Sequence, residues 1–224
     1  MQRAAYHDKV TIGTASVLGV GLYTIPDAGR LTRTHRNTVG SWVRLGYVDA
    51  AEGDSRRLLS FEDLISLRIV AKLRGAGVDL ATIKNAETQL ARQWNVAKPF
   101  AVGAFRTGYG AIITALSQGE RPVAVEGSFQ EILIELIEKD LEDVSYDDRS
   151  GRAHQWRVWR HVTIRPDLQF GQPCIQGTRV TTQTVHQFIA GGDTFEELAE
   201  DFGIEVEKLD AAFRYEEWLS ARRN

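Results

Sequence analysis

At Ser60, Ser128 and Thr194 a hydroxyl residue stands three residues ahead of an acidic residue and opens an apolar-periodic run. The pairs are Ser60 with Asp63, Ser128 with Glu131, and Thr194 with Glu197. In such a capping box the hydroxyl accepts from the amide three residues on, and the carboxylate accepts from the capping residue's own amide, so two orphaned donors are satisfied together. Glycines close the runs, in "RGAGVDL", at Gly191-Gly192 and at Gly203. So many starts and stops dictate short helices separated by turns. No apolar run approaches the length needed to cross a bilayer.

The chain has 224 residues, 43% of them hydrophobic and 25% charged, which suits two or three small domains with buried cores. Its single cysteine, Cys174, cannot form an internal disulfide, and the N-terminus lacks a signal layout, so a cytoplasmic location is expected. The net charge of −3 is unevenly spread. Residues 1–92 carry 13 Lys/Arg against 9 Asp/Glu, residues 93–150 carry 5 against 10, and residues 151–224 carry 9 against 11. A polyanion would meet the N-terminal segment, and the remainder suits protein contacts.

"YTIPDAGRLTRTHRNTVGSWVRLGYV" predicts helix, tight turn, helix. Pro26 fits a first helical turn, Thr32-Arg33-Thr34 makes the break, and Thr34 is the expected cap of a second helix from His35 to Leu45, with Arg33 and His35 counted among the expected DNA contacts. Val39, Trp42 and Val43 form its inward stripe. The opposite face carries Arg36, Asn37, Gly40, Ser41 and Arg44, which is donor-rich and small in the middle. Arg can pair with guanine and Asn with adenine in a major groove. Two short strands around Glu52-Gly53-Asp54 then predict a hairpin with Arg56 and Arg57 on its return, suited to phosphate. Helices opened by Ser60 and by Asp79 follow, the second reaching about Gln93.

A middle segment, residues 96–157, reads as a small α/β unit. Two strands are expected around Thr107-Gly108-Tyr109-Gly110 and a third in "RPVAVE", followed by a helix over 128–141 with Phe129, Ile132, Leu133 and Leu136 buried. The acids of that helix, Glu131 to Asp143, read as a solvated face, since no histidine shares their spacing. "HQWRVWRHVTI" alternates as one strand, with Trp156 and Trp159 packing a core or a subunit contact.

After "GQPCIQGTRV" come three helices. The first is capped by Thr182 with Val185, Phe188 and Ile189 inward, the second by Thr194, and the third runs from about Val206 to Ser220. The last two have a helix-turn-helix outline, but Glu205, Glu207, Asp210, Glu216 and Glu217 outnumber Lys208 and Arg214, the wrong sign for phosphate. In the preceding loop, Pro173, Gly171 and Gly177 supply turn geometry, Cys174 and Ile175 alternate with glutamines as a half-buried strand, and Thr178 and Arg179 lead into the helix. Arg179 is placed to anchor a carboxylate such as Asp201. No nucleophile with a base, metal set or phosphate loop is found. The five histidines are scattered, and Gly171 to Thr178 lacks the lysine of a phosphate loop, so neither enzyme activity, cofactor nor metal is expected.

The fold expected is α+β and mostly helical, divided at 1–95, 96–157 and 158–224. Tyr23 to Gly46, the hairpin through Arg57 and "FEDLISLRIVAKLRGAGVDLATIKNAE" resemble the DNA-binding headpiece of MerR-type winged helix-turn-helix proteins. "HVTIRPDLQFGQPCIQGTRVTTQTVHQFIAGGDTFEELAEDFGI" resembles a small bacterial domain with the signature G-x-P-x-I-x-G-T-R, whose members include VapB-type antitoxins. Together the resemblances imply a dimer that binds operator DNA, represses its own operon and silences a VapC-like PIN-domain ribonuclease. Arg222 and Arg223 could then reach an acidic nuclease site. A stand-alone MerR-like regulator, or an interaction scaffold without DNA binding, is the alternative. No membrane partner is expected.

Overall fold

The computed structural model describes residues 21–52, 57–108, 111–112, 115–116, 135 and 137–221. The fold is mixed α+β, mostly helical, with two small antiparallel sheets. Strand β1 (Tyr23–Thr24) leads directly into α1 (Ile25–Thr32). Thr24 and Asp27 form a further capping box there, with Pro26 in the first turn, and α1 ends at Arg33, which adopts left-handed backbone (φ 58°). Helix α2 (Arg36–Arg44) is capped by His35, whose Nδ1 accepts from the Asn37 amide at 3.2 Å. Thr34, expected as that cap, is one residue too early: its amide donates to the Gly29 carbonyl at 2.8 Å and holds it in the turn.

Strands β2 (Ala51–Glu52) and β3 (Arg57–Leu59) form the expected hairpin, and β1 joins it in the order β1-β3-β2. Helices α3 (Phe61–Gly75) and α4 (Leu80–Trp94) start where Ser60 and Asp79 place them, with the Asp63 amide donating to Ser60 Oγ at 3.1 Å and the Thr82 amide to Asp79 at 2.9 Å.

The middle segment departs from expectation. Where strands were predicted, Pro99–Ala101 is a 3₁₀ turn, α5 spans Gly103–Thr107, and residues 111–112 and 115–116 are helical. Ala101, Phe105, Ile112 and Leu116 fall at helical spacing and are all buried, and Phe100 packs edge-on to Phe105 with ring centres 5.0 Å apart. Burial of one helical face outweighs the β propensity of the segment. "RPVAVE", the capping box at Ser128 and the stripe from Phe129 to Leu136 lie outside the described residues, and residues 137–141 are helical.

The second sheet has the order β4-β5-β6-β7: Val144–Tyr146, Ala153–Trp159, Val162–Ile164 and Cys174–Ile175. The single strand expected over "HQWRVWRHVTI" is therefore a hairpin, because His161 adopts left-handed backbone (φ 60°) and reverses the chain. Helices α6 (Thr182–Gly191), α7 (Phe195–Phe202) and α8 (Val206–Ser220) complete the tail. Thr181 caps α6, accepting from the Thr184 amide at 3.1 Å, while Thr182 turns inward and bonds Glu216. Phe188, expected inside, is 44% exposed and stands edge-on to Phe202.

One buried cluster runs from Tyr23 through α3, α4 and the middle segment to Ile164, and a second holds the tail helices on Ile175. Val162, Tyr215 and Leu219 join the two regions. At the edge of the larger core Lys98 lies 2.6 Å from Asp63 and 2.7 Å from Asp49, with Lys84 3.7 Å from Asp49. Burial alone would lower the Lys98 pKa, but the two carboxylates hold it above the ordinary lysine range. Burial likewise pushes Asp49 up, and Lys98 and Lys84 together bring it below its ordinary value.

Removing Lys98 leaves Asp63 buried and unpaired, so Lys98→Ala is expected to cost about 2–3 kcal/mol in urea unfolding. The depressed Asp49 contributes stability that is full above its unfolded pKa of about 3.9 and is lost as pH falls through the lower folded value. Asp49→Asn should therefore flatten the acid limb of the stability profile.

Candidate nucleic-acid interface

Helix α2 is held against α1 by a contact that leaves no room for a side chain. A Cβ added at Gly29 would lie 2.7 Å from the Thr34 carbonyl oxygen. Val39, Trp42 and Val43 are buried beneath α2, fixing which face turns outward. Arg36, Asn37 and Arg44 are exposed on that outer face, with Gly40 and Ser41 half-buried between them. Together with Ile25 and Pro26 they bound a shallow groove of about 390 Å³. Arg44 reaches toward Ser41 Oγ at 3.4 Å, and the first turn of α2 contains no acid.

Gly40 is informative because nothing in the fold asks for it. A Cβ there would meet only the Ile25 methyl at 3.9 Å, an ordinary contact. A mid-helix glycine costs about 1 kcal/mol relative to alanine, and no contact among the described residues requires it. A backbone that must come close to a partner surface is one reason for a glycine.

The remaining sequence-selected residues separate. Arg57 is exposed on β3, beside Leu58, which pairs with Thr24 at the start of α1. Arg56 lies outside the described residues. His35 is spent on capping α2. Arg33 turns to the tail, where its guanidinium sits 5.1 Å from the centre of the Trp218 ring on α8. Trp218 in turn stacks on Tyr215 and packs against Trp159. This group was not legible in the sequence, since Arg33 and Trp218 are far apart along it and carry no shared motif.

The glycine-rich loop is a joint. The Gly171 carbonyl accepts from the Tyr23 hydroxyl at 3.0 Å. A Cβ at Gly171 would fall 2.3 Å from that same oxygen, and its φ of +84° independently favours glycine. Gly177, at φ +83°, turns the chain, and Thr178 closes the turn by donating to the Ile175 carbonyl and accepting from the Val180 amide, at 3.0 and 3.1 Å. The Pro173 carbonyl accepts from the Thr182 amide at 3.0 Å, seating α6. Arg179 is exposed, and its guanidinium forms no ion pair among the described residues, so the anchor to Asp201 is not made. Cys174 is fully buried, and burial pushes its thiol up to about 11, away from nucleophilic chemistry.

The acids of α8 are largely occupied within the tail. Glu205 pairs with Lys208, Asp210 with Arg214, Glu207 with Arg160 and Glu217 with His186, while Glu216 bonds Thr182. Among the described residues no group of three or more His, Cys, Asp or Glu is arranged to hold a metal ion. Among them also, no helix is long and apolar enough to cross a membrane. Arg222 and Arg223 lie outside the described residues.

Comparison with known proteins places these features in context. Residues 162–215 match the model of a family described as a protein of unknown function, DUF433. That match takes in β6, the whole glycine-rich loop with β7, α6, α7 and most of α8. An uncharacterized protein of Mycobacterium tuberculosis, Rv2308, is 32% identical over 59 residues, covering 26% of this chain and 25% of that protein. The chain thus spans about a quarter of the length of this curated relative. The crystal structure of Rv2018 from Mycobacterium tuberculosis superposes with a TM-score of 0.69 at 22% identity, over 87% of this chain and 98% of that one. At that identity the likeness is one of fold, and it extends from the head through the tail.

Proposed function

We propose that the protein is a DNA-binding antitoxin whose winged helix-turn-helix head reads an operator and whose tail takes up a PIN-domain ribonuclease. The observation that carries the DNA half is Gly40: a helix-weakening residue that no close contact among the described residues requires, centred on an exposed face of Arg36, Asn37, Ser41 and Arg44. In this reading α2 enters the major groove. Arg36 or Arg44 pairs with guanine O6 and N7, and Asn37 with adenine N6 and N7. Gly40 lets the helix backbone approach the base edges, and Arg57 of the hairpin, with Arg56 beside it in sequence, takes phosphate. A single head spans one half-site, so the active form is a two-fold dimer on a palindromic operator.

The antitoxin half rests on the resemblance of the tail to the G-x-P-x-I-x-G-T-R domain, which falls within the residues 162–215 matched to a family of unknown function. Arg222 and Arg223 are the proposed contacts to the toxin's acidic centre. A stand-alone regulator is the second reading. It draws on the Arg33–Trp218 contact, which gives a signal received by the tail a route to the turn between α1 and α2.

Replacing Arg36, Asn37 and Arg44 together with Ala is expected to weaken binding to the protein's own promoter fragment by at least about a hundredfold in an anisotropy titration, at two to three discriminating contacts of 1–3 kcal/mol each. An unchanged affinity would mean that α2 is not the reading helix. Gly40→Ala should raise stability by about 0.5–1 kcal/mol while weakening the same DNA complex. If it stabilises and leaves DNA binding intact, Gly40 carries no part of the interface. For the antitoxin half, co-expression with a neighbouring PIN-domain gene product should give a stable complex lacking ribonuclease activity. Separate elution with full nuclease activity favours the regulator.

A further inference from the structure

A cleft of about 430 Å³ opens between α1 on the head side and, on the tail side, the glycine-rich loop, the start of α6 and the last turns of α8. Its volume suits a small molecule, and such sites favour junctions between structural units. Among its lining residues Asp27, Arg30 and Glu216 are charged. Asp27 and Arg30 pair with each other, so their charges cancel. Glu216 forms no ion pair among the described residues. One of its oxygens accepts from the Thr182 hydroxyl, which is a neutral donor, and its side chain is partly exposed. The cleft therefore carries one uncompensated negative charge, and solvent reaches it.

Phe170 lines the same cleft and is 62% exposed. Its backbone is left-handed (φ 56°), as is that of Gln169 before it (φ 46°), a conformation disfavoured for residues with a side chain. Two bonds hold that turn. The Gln169 side-chain amide donates to the Arg179 carbonyl at 3.0 Å, and the Phe170 carbonyl accepts from the Leu22 amide at 3.3 Å. The Phe170 ring, by contrast, takes no place in any of the three buried clusters. Leu22 and Pro173 add apolar surface to the cleft. We infer that this cleft binds an organic amine, its ammonium paired with the Glu216 carboxylate and its apolar body lying against Phe170. An anionic ligand is disfavoured, because the cation lining the cleft, Arg30, is already held by Asp27. The inference is independent of the DNA-binding reading, because none of these residues belongs to the outer face of α2.

Calorimetric titration of the full-length protein at neutral pH with 2-phenylethylamine, 2-phenylethanol and phenylacetate tests it, since these probes share an apolar body and carry a positive, a neutral and a negative head. The amine is expected to bind saturably and at least about tenfold more tightly than the alcohol, since a charged hydrogen bond is worth about that factor. Phenylacetate should bind more weakly still. Glu216→Gln keeps an acceptor for Thr182 and should erase the amine's advantage over the alcohol. Should that variant melt early, Phe170→Ala decides, because it removes an exposed ring and should weaken the amine several-fold with an unchanged melting curve. No saturable binding of the amine at millimolar concentration, equal binding of all three probes, a preference for phenylacetate, or amine binding indifferent to Phe170→Ala would overturn the assignment.

Discussion

Tyr23 fastens the N-terminal head to the C-terminal tail. Its backbone pairs with Leu59 in the head sheet, its ring is buried in the larger core, and its hydroxyl donates to the Gly171 carbonyl across 148 positions of sequence. Burial holds the phenol's pKa above its ordinary value, so it remains a donor at any physiological pH. Gly171 has to be glycine because the same oxygen occupies the space of its side chain. The residue after Tyr23 is Thr24, the cap of α1, and α1 sets α2 through the close contact at Gly29. The direction in which α2 faces is thereby referred to the loop that seats the tail helices.

Charge divides the molecule along the same line. The outer face of α2 is free of acids, and Arg33, in the turn before it, is drawn to Trp218 instead. The acids that dominate α8 by count are matched one by one with Lys208, Arg214, Arg160, His186 and Thr182. That pairing removes the tail's own claim to a phosphate-binding surface and leaves the head as the segment suited to a polyanion. In the proposed reading the two ends have different partners: nucleic acid at the head and protein at the tail.

What was legible in the sequence was local. The hydroxyl–acid pairs at Ser60 and Thr194, and the caps at Asp79 and Gly203, act within one helical turn and mark their helices to within a residue or two. The Thr24 and Asp27 pair belongs to the same class and carried the signal for the start of α1. The segment after Pro99 misled because its aromatic and β-branched residues suit strands, yet Ala101, Phe105, Ile112 and Leu116 repeat at helical spacing, and burial decided between the two. Left-handed His161, the turn of Arg33 toward Trp218, the exposure of Phe188 and the Tyr23–Gly171 bond depend on partners distant in sequence. No window of neighbouring residues contains them. In the candidate site the outer face of α2 emerged as read, whereas His35 and Arg33 proved to serve the fold.

The central claim is that α2 reads base edges in a major groove through Arg36, Asn37 and Arg44. Guanine N7 methylation interference on the protein's own promoter tests it most directly, because that methyl group blocks the major-groove edge and leaves the phosphates intact. The account expects interference at guanines in two symmetric half-sites about one helical turn, or a whole multiple of it, apart, disappearing at individual positions when Arg36 or Arg44 is replaced. Binding that is indifferent to guanine methylation, or interference that survives both replacements, would contradict it.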